Sequence, residues 1–266
     1  MYDRKREEAQ YHDMLRAPEL IADAERYQYL TSNRKFYSIT RQSKLFYQSW
    51  LIRNSPGHRV LDYGCGNAHH AILAARHGAE VVGIDVSEVS VENAKREAAR
   101  EGVNDRTTFL VMDGEALDFG DSSFDIVCEA GVLHHLDLNT AMKEIARVLR
   151  PTGQVICAEA LRDNPLFHLY RKLTPHLRTQ WEADHILRRQ DVLRSREWFE
   201  GLEMRFFHLA ALAAVPLRNT LLFDPFLSAL EALDNVLLRV PGLRWYAWQV
   251  IYILSKPIKG KHRSRL

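Results

Sequence analysis

The chain has 266 residues, 46% apolar and 26% charged, a balance that suits one large α/β domain with insertions or a domain with a small companion. Lys and Arg number 36 against 34 Asp and Glu, so the net charge of +2 makes no global case for nucleic acid. Cys65, Cys128 and Cys157 are odd in number and widely spaced, which excludes a disulfide framework and gives no zinc motif.

The opening MYDRKREEAQ is charged and lacks the apolar core of a signal peptide. No run approaches the roughly 18 apolar residues of a membrane span, so a reducing, cytoplasmic location is expected. Residues 1–56 read as a helical cap mixing charges with aromatics, closed by Asn54-Ser55-Pro56-Gly57. From there strand and helix alternate. Strands are expected at 58–63, 80–85, 107–112, 124–129 and 154–159. Between them fall helices at 68–77, at 88–101 behind the N-cap Ser87, and at 138–149, the last stopped by Arg150-Pro151-Thr152-Gly153. Short strands that are apolar on both faces and joined by helices predict a parallel sheet covered on both sides.

The rhythm lapses after Ala160. Residues 161–198 read as a helical excursion broken by Pro165 and Pro175. A strand is expected near 202–209 and an aromatic-rich one near 245–255. Between these two, Phe226, Leu230, Leu233 and Leu237 recur at three- and four-residue steps, the spacing of an amphipathic helix.

Three of the expected strands end in an acid. The first runs into Asp62-x-Gly64-x-Gly66, the second into Asp85-Val86-Ser87, the third into Asp113-Gly114. In a doubly wound sheet, ligands sit at the carboxyl ends of the strands. Glycines there allow a tight turn and a close backbone approach. Asp85 is placed to accept from both hydroxyls of a ribose, and Asp113 from an exocyclic adenine amine. Taken singly, each acid could equally be a helix cap or turn former. A dinucleotide fingerprint wants a third glycine where this chain has His69. Asp62 would moreover repel a pyrophosphate, whereas S-adenosylmethionine carries an ammonium, a sulfonium and no phosphate.

VLDYGCGNAHH, VVGIDVS, VMDGEALDFGDSSFDIVCEAGVLHHL and RVLRPTGQVI, in this order over about residues 58–160, resemble successive motifs of the class I S-adenosylmethionine-dependent methyltransferases. The resemblance implies a Rossmann-like, doubly wound α/β fold. Its seven-stranded sheet would be mostly parallel with an antiparallel edge strand, with helices on both faces and helical lid insertions. It implies S-adenosylmethionine as cofactor and S-adenosylhomocysteine as product, held by a core at 57–160. Asp62, Gly64 and Gly66 would surround the methionine end. Asp85 would hold the ribose, Val86 would lie on the adenine, and Asp113 with Gly114 would meet its edge. Glu129 and Ala130 would offer backbone carbonyls to the ammonium.

Methyl transfer from a sulfonium is a direct displacement, and an oxygen acceptor needs a base more than an amine, carbanion or thiolate does. His134 and His135 follow the fourth strand and titrate near neutrality, which makes them the candidate bases, with Glu159 behind them. One histidine of such a pair can equally be structural. His69 and His70 lack a third ligand at helical spacing, so no metal is expected. Tyr11-His12-Asp13 is placed to fold over the cofactor, or is simply part of a surface helix.

The remainder, 161–257, holds two insertions, 161–198 and 211–243, expected as lids on the acceptor side. The apolar residues of the second (Phe223, Phe226, Leu227, Leu230, Leu233, Val236 and Leu237) suit either core packing or an apolar acceptor such as a lipid, quinone or polyketide-like molecule. Lys259, Lys261, Arg263 and Arg265 make the tail 258–266 basic, either a solvated end or a contact with an anionic membrane. The expected function is methylation of a small, apolar acceptor, with the O, N or C target open. The alternatives are a non-catalytic S-adenosylmethionine-binding regulator or scaffold and, behind it, a protein or RNA methyltransferase. His69 and Asp62 argue against a nicotinamide-dependent reductase.

Overall fold

The computed structural model describes residues 2–16, 20, 22–177 and 179–259. Seven strands make one sheet: β1 (Arg59–Tyr63), β2 (Glu80–Asp85), β3 (Thr107–Val111), β4 (Phe124–Ala130), β5 (Leu149–Ala160), β6 (Phe199–Phe207) and β7 (Gln249–Pro257). Their order across the sheet is β3-β2-β1-β4-β5-β7-β6. The pairings from β3 to β5 are parallel, and β7 runs antiparallel to both β5 and β6.

The helices described are α1 (Tyr2–Arg16), α2 (Ala24–Leu30), α3 (Arg41–Asn54), α4 (His69–Arg76), α5 (Glu88–Arg100), α6 (Leu138–Val148), α7 (Pro165–Leu173), α8 (Gln180–His185), α9 (Arg189–Arg194) and α10 (Phe223–Leu237). One face of the sheet is covered by α3, α4 and α5, which bury Tyr47, Leu51, Ala71, Ala75, Val91 and Ala94 against it. On the other face α6 and α9 contribute Met142, Ile145, Val148 and Val192. Because both faces are covered, β1 and β4 must be apolar on both sides, as the runs Val60-Leu61 and Ile126-Val127-Cys128 are. Helix starts follow the local chemistry. The Ser87 hydroxyl accepts the Ser90 N–H at 3.0 Å, and Asp137 accepts that of Thr140 at 2.8 Å.

Three local features depart from the sequence expectation. Strand β5 starts at Leu149, not 154. Leu149 pairs with Phe124, and the register then shifts before Gln154 meets Ile126. Helix α6 does stop at Val148, and Arg150-Pro151-Thr152-Gly153 is in addition an irregular strand entry, a position that tolerates proline. Strand β7 starts only at Gln249. Trp245 and Tyr246 lie in a 3-10 turn at Leu243–Tyr246, although Trp245 and Trp248 are both buried.

The third difference is α10. Of its apolar residues only Leu227 is fully buried, while Phe226, Leu233 and Val236 are exposed, so the stripe is not packed on the sheet. A separate buried cluster of Ile39, Phe167, Ala211, Val215, Leu227 and Trp248 ties the cap and both insertions together. Lys259 reaches back to the carbonyls of Ala146 and Arg147 at 2.7 and 3.0 Å, capping the end of α6. The basic tail beyond it, 260–266, lies outside the described residues. Among the described residues no helix is long and apolar enough to cross a membrane.

Candidate functional site

The strand order reverses between β1 and β4, which opens a crevice at their carboxyl ends. A cleft of about 810 Å³ lies there, floored by Tyr63-Gly64, Asp85-Val86, Met112-Asp113-Gly114 and Ala130-Gly131-Val132. Helix α1 roofs it with Arg4, Lys5, Glu8, His12 and Arg16. Of the residues singled out in the sequence, Gly64, Asp85, Val86, Asp113, Gly114, Ala130 and His135 meet in this one cleft.

Gly64 has φ +73°, and a Cβ on it would come within 2.4 Å of Val132 Cγ2, so the turn and the opposite wall leave room only for glycine. Asp85 fixes the turn from the neighbouring strand. Its Oδ2 accepts the Gly66 N–H and its Oδ1 the Ser87 N–H, each at 2.9 Å. A carboxylate has about four acceptor sites, so two backbone bonds leave capacity for a diol. Asp113 accepts the Glu115 N–H at 2.9 Å and pairs with Lys5 of α1. Glu115 pairs with Arg4 and, at 3.0 Å, with the same Lys5. Gly114 is held because its carbonyl accepts the Tyr63 hydroxyl at 2.6 Å, which links the end of β1 to the loop after β3.

Asp62 and Glu129 face the other way. The buried Asp62 carboxylate accepts the Ala71 N–H at 3.0 Å and so caps α4 from β1, with the Cys128 thiol 3.6 Å from its other oxygen. Burial pushes its pKa up to about 7. Its side chain lines neither cavity, so the expectation that its charge faces the ligand does not match its position. The Glu129 carboxyl is also fully buried. Its pKa is driven well upward by burial and then by the charge of Glu159, and its backbone carbonyl already accepts the Tyr47 hydroxyl at 3.0 Å.

At Gly64, Ala130, Gly131, His12 and His135 the cleft meets a larger chamber of about 2150 Å³ including its mouth. The largest share of the chamber wall, a little under half of its lining residues, comes from residues 11–48 of the cap. The first insertion adds Leu177 and Glu182, and no described residue of 211–243 lines it. His134 and His135 both border the chamber, their ring centroids 4.2 Å apart. Each leans on a buried carboxylate. His134 Nδ1 lies 2.7 Å from Glu159 Oε2, and His135 Nδ1 lies 2.9 Å from Glu8 Oε2. Burial draws the His134 pKa down, but the charge and hydrogen bond of Glu159 outweigh it and the net shift is upward. Glu159 moves the opposite way: burial raises it, and the His134 pairing takes it below the usual carboxylate value. His12 is held neutral, its pKa lowered to about 3 by burial and by His135 and Arg16.

Glu8, Lys5 and Tyr47 are the site residues that sequence reasoning missed. Nothing in a charged N-terminal helix says which of its residues reaches a loop more than 100 positions away. The hint available was Glu8 and His12 one helical turn apart on the segment that carries Tyr11-His12-Asp13. Tyr11 donates to the Leu177 carbonyl at 2.9 Å, and Asp13 accepts the Ser87 hydroxyl, so the segment does fold over the cleft. His70 packs against Tyr47 at 4.6 Å between centroids.

Residues 61–157 match a family described as a methyltransferase domain. Over 107 residues the chain is 40% identical to the 27-O-demethylrifamycin SV methyltransferase of Amycolatopsis mediterranei, a match covering 40% of this chain and 39% of that one. Over 197 residues it is 27% identical to a sterol 4-C-methyltransferase of Caenorhabditis elegans, covering 68% and 59%. Among solved structures it resembles the geranyl diphosphate C-methyltransferase of Streptomyces coelicolor A3(2), bound there to Mg2+, geranyl diphosphate and S-adenosyl-L-homocysteine. That match has a TM-score of 0.56 at 15% identity over 79% of each chain, a likeness of fold. The chain spans 39%, 38% and 43% of the length of the first curated relatives it matches.

Proposed function

We propose that the chain, whose residues 61–157 match a methyltransferase domain, is a class I S-adenosylmethionine-dependent methyltransferase that methylates a hydroxyl oxygen of a bulky, largely apolar small molecule. The observation that carries this reading is the His134–Glu159 pair, whose imidazole borders the chamber beside His135, one of the residues at which chamber and cofactor cleft meet. When bound, S-adenosylmethionine supplies a methyl carbon whose bond to sulfur breaks as the acceptor oxygen attacks, leaving S-adenosylhomocysteine.

The chain's own residues do the rest. Asp85 accepts from the ribose hydroxyls, Val86 flanks the adenine, and Asp113 with Gly114 meets its edge once Lys5 has withdrawn. The backbone at Gly64, Gly66 and Ala130 holds the methionine end, with the Glu129 carbonyl shared with Tyr47. His134 takes the hydroxyl proton on Nε2, because Nδ1 is engaged by Glu159, and the carboxylate balances the imidazolium that forms. His135, held by Glu8, fixes the wall beside it. An in-line displacement gains chiefly from such positioning.

Size and lining support the acceptor class. Apart from its mouth the chamber measures about 640 Å³, within the ~300–1,000 Å³ of ordinary ligand pockets, and it presents Leu15, Leu30, Tyr37, Leu177, Trp248 and Ile251 to its contents. Relatives named for demethylrifamycin and sterols fit the same class. The three cysteines, all free and buried, suit a reducing cytoplasm.

Calorimetric titration with S-adenosylmethionine and with NAD tests the cofactor, and the first alone should bind. Incubation with methyl-labelled S-adenosylmethionine and a fractionated extract should then label a small apolar product, and His134→Ala should abolish that labelling. Binding of NAD alone would sink the reading. Cofactor binding with no labelled product in any fraction would favour a regulator or scaffold, and label in protein or RNA would move the acceptor class.

A further inference from the structure

Helix α10 has its polarity reversed. Its buried positions include Glu231 and Asp234, 5% and 4% exposed, whereas Leu222, Phe226, Leu233, Val236 and Val240 stand 65%, 40%, 46%, 63% and 50% exposed. With Ala229 these outward residues recur at steps of four, three, four, three and four, an unbroken apolar stripe along a helix about 22 Å long. Leu221, 99% exposed, extends it at one end. Soluble chains rarely leave so continuous an apolar strip in water.

The rotation of α10 is fixed by its acids. Glu231 takes Arg41 from two directions, Nε at 2.9 Å and Nη2 at 2.7 Å. Asp234 accepts the N–H groups of Leu209, Ala210 and Ala211 at 3.1, 2.6 and 3.2 Å. Turning the helix to hide its leucines would strand the buried Glu231 carboxylate away from the half-exposed Arg41 and orphan three backbone donors, which is unfavourable. The outward face is therefore built in.

Its charges narrow the partner. Asp224, the exposed acid of the helix, has its carboxylate 3.5 Å from Arg41, which it shares with Glu231. Arg218 precedes the stripe and Arg239 follows its main part, both exposed. Arg244, beyond them, is turned onto the rings of Phe206 and Trp245. A second copy pairing through this stripe would set arginine against arginine, at like ends if parallel and at unlike ends if antiparallel. An anionic bilayer offers acyl chains to the stripe and negative head groups to both arginines.

We infer that the outer face of α10 is a docking surface for an anionic lipid bilayer. The helix lies in the interfacial plane, with Leu222, Phe226, Leu233 and Val236 in the acyl boundary and Arg218 and Arg239 at head-group level. The surface is distinct from the basic tail and independent of which atom receives the methyl group.

The test is flotation of the full chain with vesicles of phosphatidylcholine, with and without phosphatidylglycerol. The wild type should float with the anionic vesicles and weakly with the neutral ones. The double variant Leu233→Ser/Val236→Ser should partition about tenfold less into the anionic vesicles. Arg218→Ser/Arg239→Ser should fall to the neutral-vesicle level. Both alter exposed side chains and should melt as the wild type does. Absence of wild-type flotation would overturn the inference. So would undiminished flotation of Leu233→Ser/Val236→Ser, or its loss only on deletion of 260–266, which would assign binding to the tail. A lipid-free dimer in light scattering that Leu233→Ser/Val236→Ser abolishes would replace the bilayer with a second copy.

Discussion

His134 Nδ1 and Glu159 Oε2 stand 2.7 Å apart, and the Glu159 side chain is closed to solvent. Its other oxygen accepts the Leu133 N–H at 2.7 Å, so the carboxylate holds both the ring and the turn that carries it. This is an orienting arrangement: one ring nitrogen is engaged and the other is left for chemistry.

The pair sets a pH dependence. A base must be unprotonated to accept a proton, and Glu159 raises the His134 pKa, so kcat/KM should rise with pH through a value above the ordinary histidine range. In Glu159→Gln the burial that lowers the pKa remains and the opposing charge is gone. The acid limb should then move to lower pH while the plateau falls roughly 10–100-fold. A purely structural Glu159 would lower the plateau without moving the limb, and a pH series of kcat/KM distinguishes the two.

Asp85→Ala should weaken S-adenosylmethionine binding at least about tenfold, the loss of hydrogen bonds to a charged group. Asp85 also secures the Gly66 and Ser87 N–H groups, so Asp85→Asn serves as the control. Asn preserves part of the loop bonding and should fall between. Equal affinities for wild type and alanine, measured calorimetrically, would displace the ribose from this residue.

Lys5 competes with the adenine for Asp113. Both partners are partly exposed, so the pair is worth at most about 1 kcal/mol, and Lys5→Ala should tighten cofactor binding by no more than roughly fivefold. Stopped-flow binding at rising salt should reproduce the effect in the wild type, because salt screens the same pair. A Lys5→Ala variant that binds more weakly would make Lys5 a cofactor ligand instead.

Asp62 carries a different prediction, one of stability. Its folded-state pKa of about 7 lies above the unfolded value of 3.8, so the native state prefers the protonated acid. Stability from this group is full below the unfolded pKa and is lost as pH rises toward 7, a swing of about 4 kcal/mol by linkage. Asp62→Asn removes that titration. Urea unfolding at several pH values should show the variant gaining on the wild type between about pH 4 and 7, with a flat difference above. Cofactor affinity should change little, since the side chain lines neither cavity.

Much of the scaffold was legible because it is local. Gly64 at positive φ, Ser87 as a cap and three strand ends bearing Asp62, Asp85 and Asp113 are all stated within a few residues. The direction of Asp62 was not, because alternation along a strand names two faces without saying which meets the ligand. Periodicity likewise found an amphipathic helix at α10 but placed its stripe on Phe226, Leu230, Leu233 and Leu237, because it could not see Arg41, nearly 200 residues away, turning Glu231 inward. The links from Lys5 to Asp113 and from Glu8 to His135 join the cap to loops across a long stretch of chain and leave no periodic trace.

Strand β7 is the last element among the described residues, yet it sits inside the sheet, hydrogen-bonded to β5 on one side and β6 on the other. During synthesis β6 emerges about forty residues ahead of its only sheet partner, and until Gln249–Pro257 clears the ribosome the edge of β5 stays open as well. A prematurely terminated chain would keep the whole cofactor cleft and still present two unpaired strand edges, a template for aggregation. Closure of both edges therefore waits on β7, far in sequence from the cleft lined by Gly64, Asp85 and Asp113.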